Sequence, residues 1–469
     1  MHDSLFREYD LRGKVGSELS LEHVYDLGRA LAYYFVHQDV PVKTIAVGMD
    51  GRIHSPVIKQ ELVRAFCDSG IDVIFVGVCP TPVLYFSMHT IPVDAGIMIT
   101  ASHNGKEYNG IKIVLAKAAL WGSQLQLLKQ FFLERKEHKT LKQGDYTQYP
   151  MVKRYTNWLV KRFAHLKKSP LSLILDMGNG ATGVVVPELI EQLEWDQAQL
   201  LYADIDGTFP NHEPDPVVPE NMQIMRSMLI EGKAQFGIGF DGDGDRMVVY
   251  NHLGQIIEGD KLLALFARDI LQQFPGSTIL YDIKCARFVP ELIQSWSGKA
   301  IVSRSGHSII KHEMKKHQAI FGGELSCHFF FNDSYFGYDD GIYAALRLCQ
   351  LMHKTGDLQA LLDVIPQSYS TPEIRIACAQ EIHTKLIAST YNFFSARQDA
   401  QVSTLDGVHA TLPYGWGLVR ASQTQPSISL RFESSTPEGL EKVKEDFYTA
   451  LKSYMDPLLL QSSFDHTTY

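Results

Sequence analysis

Asp241-Gly242-Asp243-Gly244-Asp245-Arg246 crowds three carboxylates into alternate positions between two largely apolar runs, Gln235 to Phe240 in front and Met247 to Tyr250 behind. Both flanks read as short strands. The connection is too short for a parallel crossover, so it is read as a hairpin-like loop. Like charges this close repel and raise one another's pKa unless something neutralises them. A hard divalent cation with oxygen ligands does so most simply. Gly242 and Gly244 let the backbone bring the oxygens together, and Arg246 adds a planar fork suited to phosphate. An EF-hand is excluded, because its sixth position should be Gly and is Arg246, and its twelfth should be Glu and is His252. A solvated acidic turn is the plainer alternative, and the boxing by two apolar strands argues against it. The expectation is an Asp-rich magnesium site with an anion beside it.

Working outward, this loop closes the second of three similar runs. Each opens with an apolar strand ending in Asp: Thr44 to Asp50, Leu173 to Asp176 and Thr278 to Asp282. A helical stretch and a second strand follow, at Asp72 to Gly77, Leu200 to Asp204 and Ala300 to Ser303. A third strand then ends in a loop dense in reactive groups: Thr100-Ala101-Ser102-His103-Asn104, the Asp-rich loop, and Gly322-Gly323-Glu324-Leu325-Ser326-Cys327-His328. A fourth strand leaves each loop, at Ile111 to Val114, Met247 to Tyr250 and Phe329 to Phe331. Strands joined through helices imply parallel pairing, and the tight last connection implies an antiparallel edge. Ligands of such sheets gather at the strand ends, so three loops at equivalent places suggest one shared cleft.

Beyond about residue 370 the pattern changes. Ile374 to Ala377 reads as a strand, His383 to Arg397 as a helix, Asp406-Gly407 as a hairpin turn, and Ser427 to Phe432 as a strand. Glu438 to Met455 has helical apolar spacing, and Gln461 to Tyr469 reads as a frayed tail. The fold class is therefore α/β: three similar α/β domains with mixed sheets, at residues 1–148, 149–254 and 255–368, plus a C-terminal α+β domain at 369–469, around a central cleft.

A chain of 469 residues is too long for one ordinary core. Its net charge of −9 argues against a nucleic-acid partner. No apolar run approaches membrane-span length, and Met1-His2-Asp3-Ser4 does not open a signal peptide. The six cysteines form no C-x-x-C pair and read as reduced thiols of a cytoplasmic protein.

Gly178-Asn179-Gly180-Ala181-Thr182-Gly183 matches a dinucleotide-binding fingerprint, with Asp204 about twenty residues on. A tight strand-to-helix turn is preferred, because this unit's third strand delivers a metal loop that a nicotinamide enzyme does not need. Ser102 has no Gly-x-Ser-x-Gly elbow around it, which leaves an α/β-hydrolase unsupported; beside a metal it becomes a candidate phosphoryl carrier. Glu324 and Ser326 lie two apart and face one side if the backbone is extended, an arrangement that grips adjacent sugar hydroxyls. Arg420-Ala421-Ser422-Gln423-Thr424 gathers phosphate donors, with a polar hairpin tip as its plainer reading.

Together with Phe6-Arg7-Glu8-Tyr9-Asp10-Leu11-Arg12-Gly13, these loops resemble, in order, the motifs of the α-D-phosphohexomutases, particularly the bacterial phosphomannomutase/phosphoglucomutase branch. The resemblance implies a cytoplasmic isomerase that interconverts hexose 1- and 6-phosphates through a phosphoserine and a hexose 1,6-bisphosphate. It implies that Ser102 carries the phosphoryl group and that Asp241, Asp243 and Asp245 bind Mg2+ with it. Arg12, Lys112, His103 and Arg246 would stabilise charge or move protons, Lys112 only if cationic neighbours lower its pKa. Glu324 and Ser326 would hold the sugar, with Tyr9, Arg304, His307 and His328 lining the same region. Arg420, Ser422, Gln423 and Thr424 would hold the phosphate that is not reacting. The implied partners are small hexose phosphates, with neither nucleic acid nor membrane, and monomer and dimer both stay open.

Several positions depart from the family pattern. Asn104-Gly105-Lys106 stands where Asn-Pro-Pro is common, which loosens that loop. Arg304 replaces a Lys, Gln423 and Gln425 replace the commoner Asn and a Thr or Glu, and Leu325 stands where this branch often has Met. The glucosamine-specific branch tends to carry Gln at that last position, so mannose and glucose phosphates are preferred as substrates. Phosphoglucosamine mutase and a non-catalytic sugar-phosphate binder are the alternatives.

Overall fold

The computed structural model describes residues 1–421 and 427–465. Three sheets repeat one connectivity. In the first unit the strands Thr44–Met49, Asp72–Val78 and Ala95–Ile99 are parallel with Thr44–Met49 in the middle, and Tyr108–Leu115 returns antiparallel to Ala95–Ile99. The second unit repeats this with Leu173–Asp176, Ala198–Leu201, Phe236–Phe240 and Met247–Asn251. The third uses Thr278–Asp282, Lys299–Ser303, Phe321–Gly323 and Phe329–Phe331. In each, the third strand stands between the first and the fourth, so its C-terminal loop emerges near the middle of the sheet edge. The N-terminal strand Leu11–Lys14 adds beside Tyr108–Leu115, and this sets the Phe6 to Gly13 segment next to the phosphoserine-type loop.

The strands are apolar because they are covered on both faces; Phe236–Phe240 is buried throughout. Gly237 and Gly239 there admit Met225 and Met222 from the covering segment, whose sulfur and methyl would lie 2.5 and 2.7 Å from an added Cβ. The core on one face of the first unit is separate, while its other face, with Val83, Phe86 and Met98, merges with the cores of the second and third units. Phe86 of the first unit meets Trp158 and Phe336 at ring-centroid distances of 5.7 and 6.1 Å, which ties all three into one aromatic platform.

The fourth unit is built on an antiparallel sheet. Ser427–Ser434 pairs with Gly415–Ala421 on one side and with Tyr369–Ser370 and Ile374–Ala377 on the other. Helices Gln380–Ser395 and Pro437–Leu451 pack on it around their own core. The segment read as a frayed tail is helical as far as it is described, within Pro457–Asp465. Leu460 and Phe464 are buried there, and Phe464 packs on Phe432 at 5.1 Å, so apolar anchoring outweighs the usual fraying of a terminus.

All six cysteines are free. Among the described residues no helix is long and apolar enough to cross a membrane.

Candidate active site

Loops from all four units line one cleft. The first contributes Tyr9, Arg12, Ser102, His103 and Lys112, and the second Asp245 and Arg246. The third contributes His307, Glu324, Ser326 and His328, and the fourth Arg420. Ser422, Gln423 and Thr424 lie outside the described residues.

Ser102 and the Asp-rich loop meet backbone to backbone. A Cβ on Gly242 would stand 2.5 Å from the Ser102 carbonyl oxygen, so only glycine permits this approach. Ser102 itself sits at φ +51°, a left-handed conformation that costs about 1 kcal/mol outside glycine. Its hydroxyl donates to Asp241 Oδ2 at 2.7 Å, with Arg246 Nη2 and His103 Nδ1 both 3.1 Å away. Arg246 also reaches Asp241 through Nε at 3.1 Å and contacts the His103 ring.

Asp241, Asp243 and Asp245 are fully or almost fully buried, and one oxygen from each lies within 4.8 Å of the others. Asp243 Oδ1 is buried without a hydrogen-bond partner. A compact set of hard oxygens with an orphaned lone pair fits a hard divalent cation. Burial, followed by repulsion from Asp245 and Asp243, raises the Asp241 carboxyl well above its usual range. Burial alone would raise Asp245 as well, but Lys112 and then His328 outweigh it and hold that carboxyl well below.

Lys112 has anionic rather than cationic side chains as its nearest charged neighbours. Its Nζ lies 2.6 Å from Asp243 Oδ2 and 2.5 Å from Asp245 Oδ2. Burial favours the neutral amine, yet the two carboxylates more than offset it and lift the pKa well above the ordinary value. The two carboxylates thus favour the ammonium form of Lys112.

The segment Glu324 to His328 lies in the loop expected after the third strand, but its backbone is not extended as the two-residue spacing argument required. Its strand ends at Gly323, and a turn follows in which Glu324 N donates to His328 O at 2.9 Å and Cys327 stands at φ +66°. The turn still brings Glu324 and Ser326 to one wall of the cleft. Ser326 Oγ is 2.9 Å from His328 Nδ1, and His328 Nε2 faces Asp245 at 3.4 Å. Burial, then the nearby Asp282, pushes the Glu324 carboxyl up to about 7. His307 stacks on His328 at 5.8 Å and faces the buried Asp339 at 3.4 Å.

Tyr9 donates to the Ser305 carbonyl at 3.0 Å, while Ser305 N donates to Asp406 Oδ2 at 3.2 Å, and Asp406 pairs with Arg420 at 3.0 Å. That chain of contacts stitches the first, third and fourth units at one rim. Arg304 is half-buried between the buried Ser303 and Ser305, and its charge acts on Tyr9 at the cleft rim.

Sequence reasoning passed over Lys284, Glu373 and Arg375, which also line the cleft. Lys284 follows the strand Thr278–Asp282, and its ammonium stands 3.7 Å from Asp282 and 3.5 Å from Glu373 across the join to the fourth unit. Its position just beyond a first-strand end was the available signal. The glycine-rich segment Gly178 to Gly183 is a turn that supports the metal loop: Ala181 N donates to Gly242 O at 2.9 Å, and a Cβ on Gly180 would lie 2.9 Å from that oxygen. Its glycines admit protein backbone where a dinucleotide would need room for pyrophosphate.

Comparison with known proteins agrees with this geometry. Residues 3–137, 153–254 and 258–369 match the alpha/beta/alpha domains I, II and III of phosphoglucomutase/phosphomannomutase. A phosphomannomutase/phosphoglucomutase of Pseudomonas aeruginosa PAO1 is 40% identical over 458 residues, 96% of each chain. A phosphoglucomutase of Neisseria meningitidis Z2491 is 37% identical over 451 residues, 96% of this chain and 97% of that one. The crystal structure of a phosphoglucomutase/phosphomannomutase family protein from Burkholderia thailandensis superposes with a TM-score of 0.87 at 36% identity, covering 97% of this chain and 98% of that one. A serine held against a buried triad of aspartates, set in a cleft of three repeated α/β units and a fourth, belongs with these matches: the chain is a member of the phosphoglucomutase/phosphomannomutase family.

Proposed function

We propose that this protein is a phosphohexomutase that interconverts hexose 1-phosphates and 6-phosphates by way of a phosphorylated Ser102. The observation that carries the reading is the Ser102 hydroxyl, 2.7 Å from Asp241 and 3.1 Å from Arg246, at the floor of a cleft lined by all four units. We further infer unit boundaries at residues 1–148, 149–254, 255–368 and 369–469, which the four separate sheets support.

In this reading the phosphoryl group leaves Ser102 Oγ for the free hydroxyl of a hexose 1-phosphate. The serine O–P bond breaks as the sugar O–P bond forms, and the hydroxyl proton ends, net, on Ser102 Oγ. The hexose 1,6-bisphosphate turns over within the cleft, and its other phosphate returns to Ser102, releasing the 6-phosphate. Asp241, Asp243 and Asp245, with an oxygen of the phosphorylated Ser102, would hold a magnesium ion, which supplies charge neutralisation at the phosphoryl group. Arg12, Arg246 and Lys112 add fixed positive charge around it, which favours an oxyanion that develops there. His103 stands within reach of the serine oxygen. Burial, then Lys311, lowers the pKa of His307, so it is neutral near pH 7 and suited to take up a proton from a sugar hydroxyl.

Glu324 and Ser326 hold the sugar hydroxyls, with Tyr9 and His328 beside them. Arg420, together with Ser422, Gln423 and Thr424, holds the distal phosphate. Leu325 at the sugar loop favours mannose and glucose over glucosamine phosphates. We place the enzyme in the cytoplasm, acting on small hexose phosphates. The test is turnover of mannose, glucose and glucosamine 1-phosphates with magnesium and a trace of hexose 1,6-bisphosphate. Mannose or glucose as preferred substrate supports the reading, glucosamine would move it to phosphoglucosamine mutase, and binding without turnover of any would leave a sugar-phosphate binder.

A further inference from the structure

Arg52 is among the largest fully buried side chains of the protein, 1% exposed, and it stands behind the cleft wall rather than in it. It follows the first strand of the first unit, where Asp50-Gly51-Arg52 turns toward the helix Ser55–Asp68. Its guanidinium has five N–H groups, and five acceptors surround it. Nε donates to Asp50 Oδ2 at 3.0 Å. Nη1 donates to the carbonyls of Gly105 at 2.7 Å and Tyr108 at 3.1 Å, and Nη2 to those of Ser102 at 2.7 Å and Asn104 at 2.5 Å. Four of the five acceptors are thus backbone carbonyls of the Ser102 to Tyr108 loop.

The second unit closes this arrangement. The Phe209 ring lies 5.0 Å from the guanidinium carbon. A Cβ on Gly207 would stand 2.7 Å from Arg52 Cα, so the two loops are pressed together. Asp50 is itself fixed by Ser55 Oγ at 2.8 Å and by the Arg52 backbone N–H at 3.1 Å.

A buried ion pair is weak evidence for stability, because desolvation offsets most of its attraction. A buried guanidinium is, however, suited to fixing several acceptors in one geometry. The loop it grips needs that. Ser102 stands at φ +51°, and Asn104-Gly105-Lys106 lacks any proline that would stiffen it. Phosphoryl transfer is almost wholly positioning and electrostatics, so a shift of about 1 Å costs on the order of 100-fold in rate.

We propose that Arg52 is a positioning residue for phosphoryl transfer: it clamps the backbone of the Ser102 to Tyr108 loop so that the Ser102 hydroxyl stays against Asp241 and Arg246. This rests on Ser102 as the phosphoryl carrier. Because Arg52 contacts no cleft-lining side chain of the sugar wall, its loss acts on transfer and not on sugar binding.

The test is Arg52→Lys, which keeps the charge beside Asp50 but offers three donors in place of a five-pronged fork. With glucose 1-phosphate, magnesium and bisphosphate present, kcat should fall on the order of 100-fold while KM stays within about twofold. In the same folded protein, amide hydrogen exchange should speed up across residues 103–108 and stay unchanged in the strand Thr44–Met49. Unchanged kcat, a parallel change in kcat and KM, or a Lys variant that does not fold even at low temperature would overturn the proposal, the last by assigning Arg52 to the fold alone. If the unaltered protein shows no mutase turnover, the functional reading fails instead, and hydrogen exchange still decides whether Arg52 holds the loop.

Discussion

Glu324 shows how one residue carries both chemistry and a stability cost. Its ordinary value of 4.5 is raised to about 7, chiefly by burial. The folded chain therefore binds the Glu324 proton more tightly than the unfolded chain does. Stability falls as pH rises between those two values, and the cost is complete above the folded one. The shift corresponds to roughly 3 kcal/mol. Glu324→Gln should therefore match the unaltered protein in stability near pH 4 and exceed it by up to about 3 kcal/mol near pH 8, measured by urea unfolding. An equal difference at both pH values would show that Glu324 is not held protonated. At this scale the sequence was most legible where chemistry is packed into consecutive positions. Asp241 to Arg246 announced a metal loop because three carboxylates in five residues have few other uses. Lys112 was named without its charge partners, because those two carboxylates lie 131 and 133 residues away in the chain. Arg52 gave no signal, since a charged residue after Asp-Gly reads as a solvated turn.

Among the elements, the three α/β units were legible because each repeats a strand, a helix and a short antiparallel return, and burial on both faces makes the strands continuously apolar. The loop at Glu324 to His328 was legible but its shape was not, because period-two spacing assumes an extended backbone while Cys327 adopts a left-handed conformation. The terminal helix was missed because its short apolar run follows Pro457 and precedes a polar end. Its packing predicts an effect. Leu460 and Phe464 are almost wholly buried, and each contributes roughly 1.5–3 kcal/mol. Deleting residues 457–469 should destabilise the fourth unit by about 3–5 kcal/mol, seen as an earlier transition in denaturant. Unchanged unfolding would show that this helix is ornamental.

For the whole molecule, the units differ in how firmly they are joined. The second and third share one core that also takes in one face of the first, including Val83, Phe86 and Met98. The fourth keeps a core of its own and joins the third through polar contacts, such as the buried pair of Arg431 with Asp260 at 3.0 Å, and a small apolar cluster of Ile283, Trp416 and Leu418. That separate core makes the fourth unit the one expected to move if a bisphosphate turns over inside the cleft. Small-angle scattering should show a smaller radius of gyration when glucose 1,6-bisphosphate and magnesium are added to the Ser102→Ala protein. An unchanged radius would contradict closure. The shared cleft followed from three loops at equivalent strand ends, whereas the merging of cores across the three units did not, because interior contacts between units leave no periodic trace.

The account stands on Ser102 as the phosphoryl carrier, and the most direct measurement is peptide mass spectrometry of the protein after incubation with hexose 1,6-bisphosphate and magnesium. The prediction is a phosphoryl group on Ser102 that is lost on adding excess glucose 1-phosphate, with mutase turnover collapsing in Ser102→Ala. Phosphate on another residue, or a Ser102→Ala protein that turns over at the unaltered rate, would contradict it.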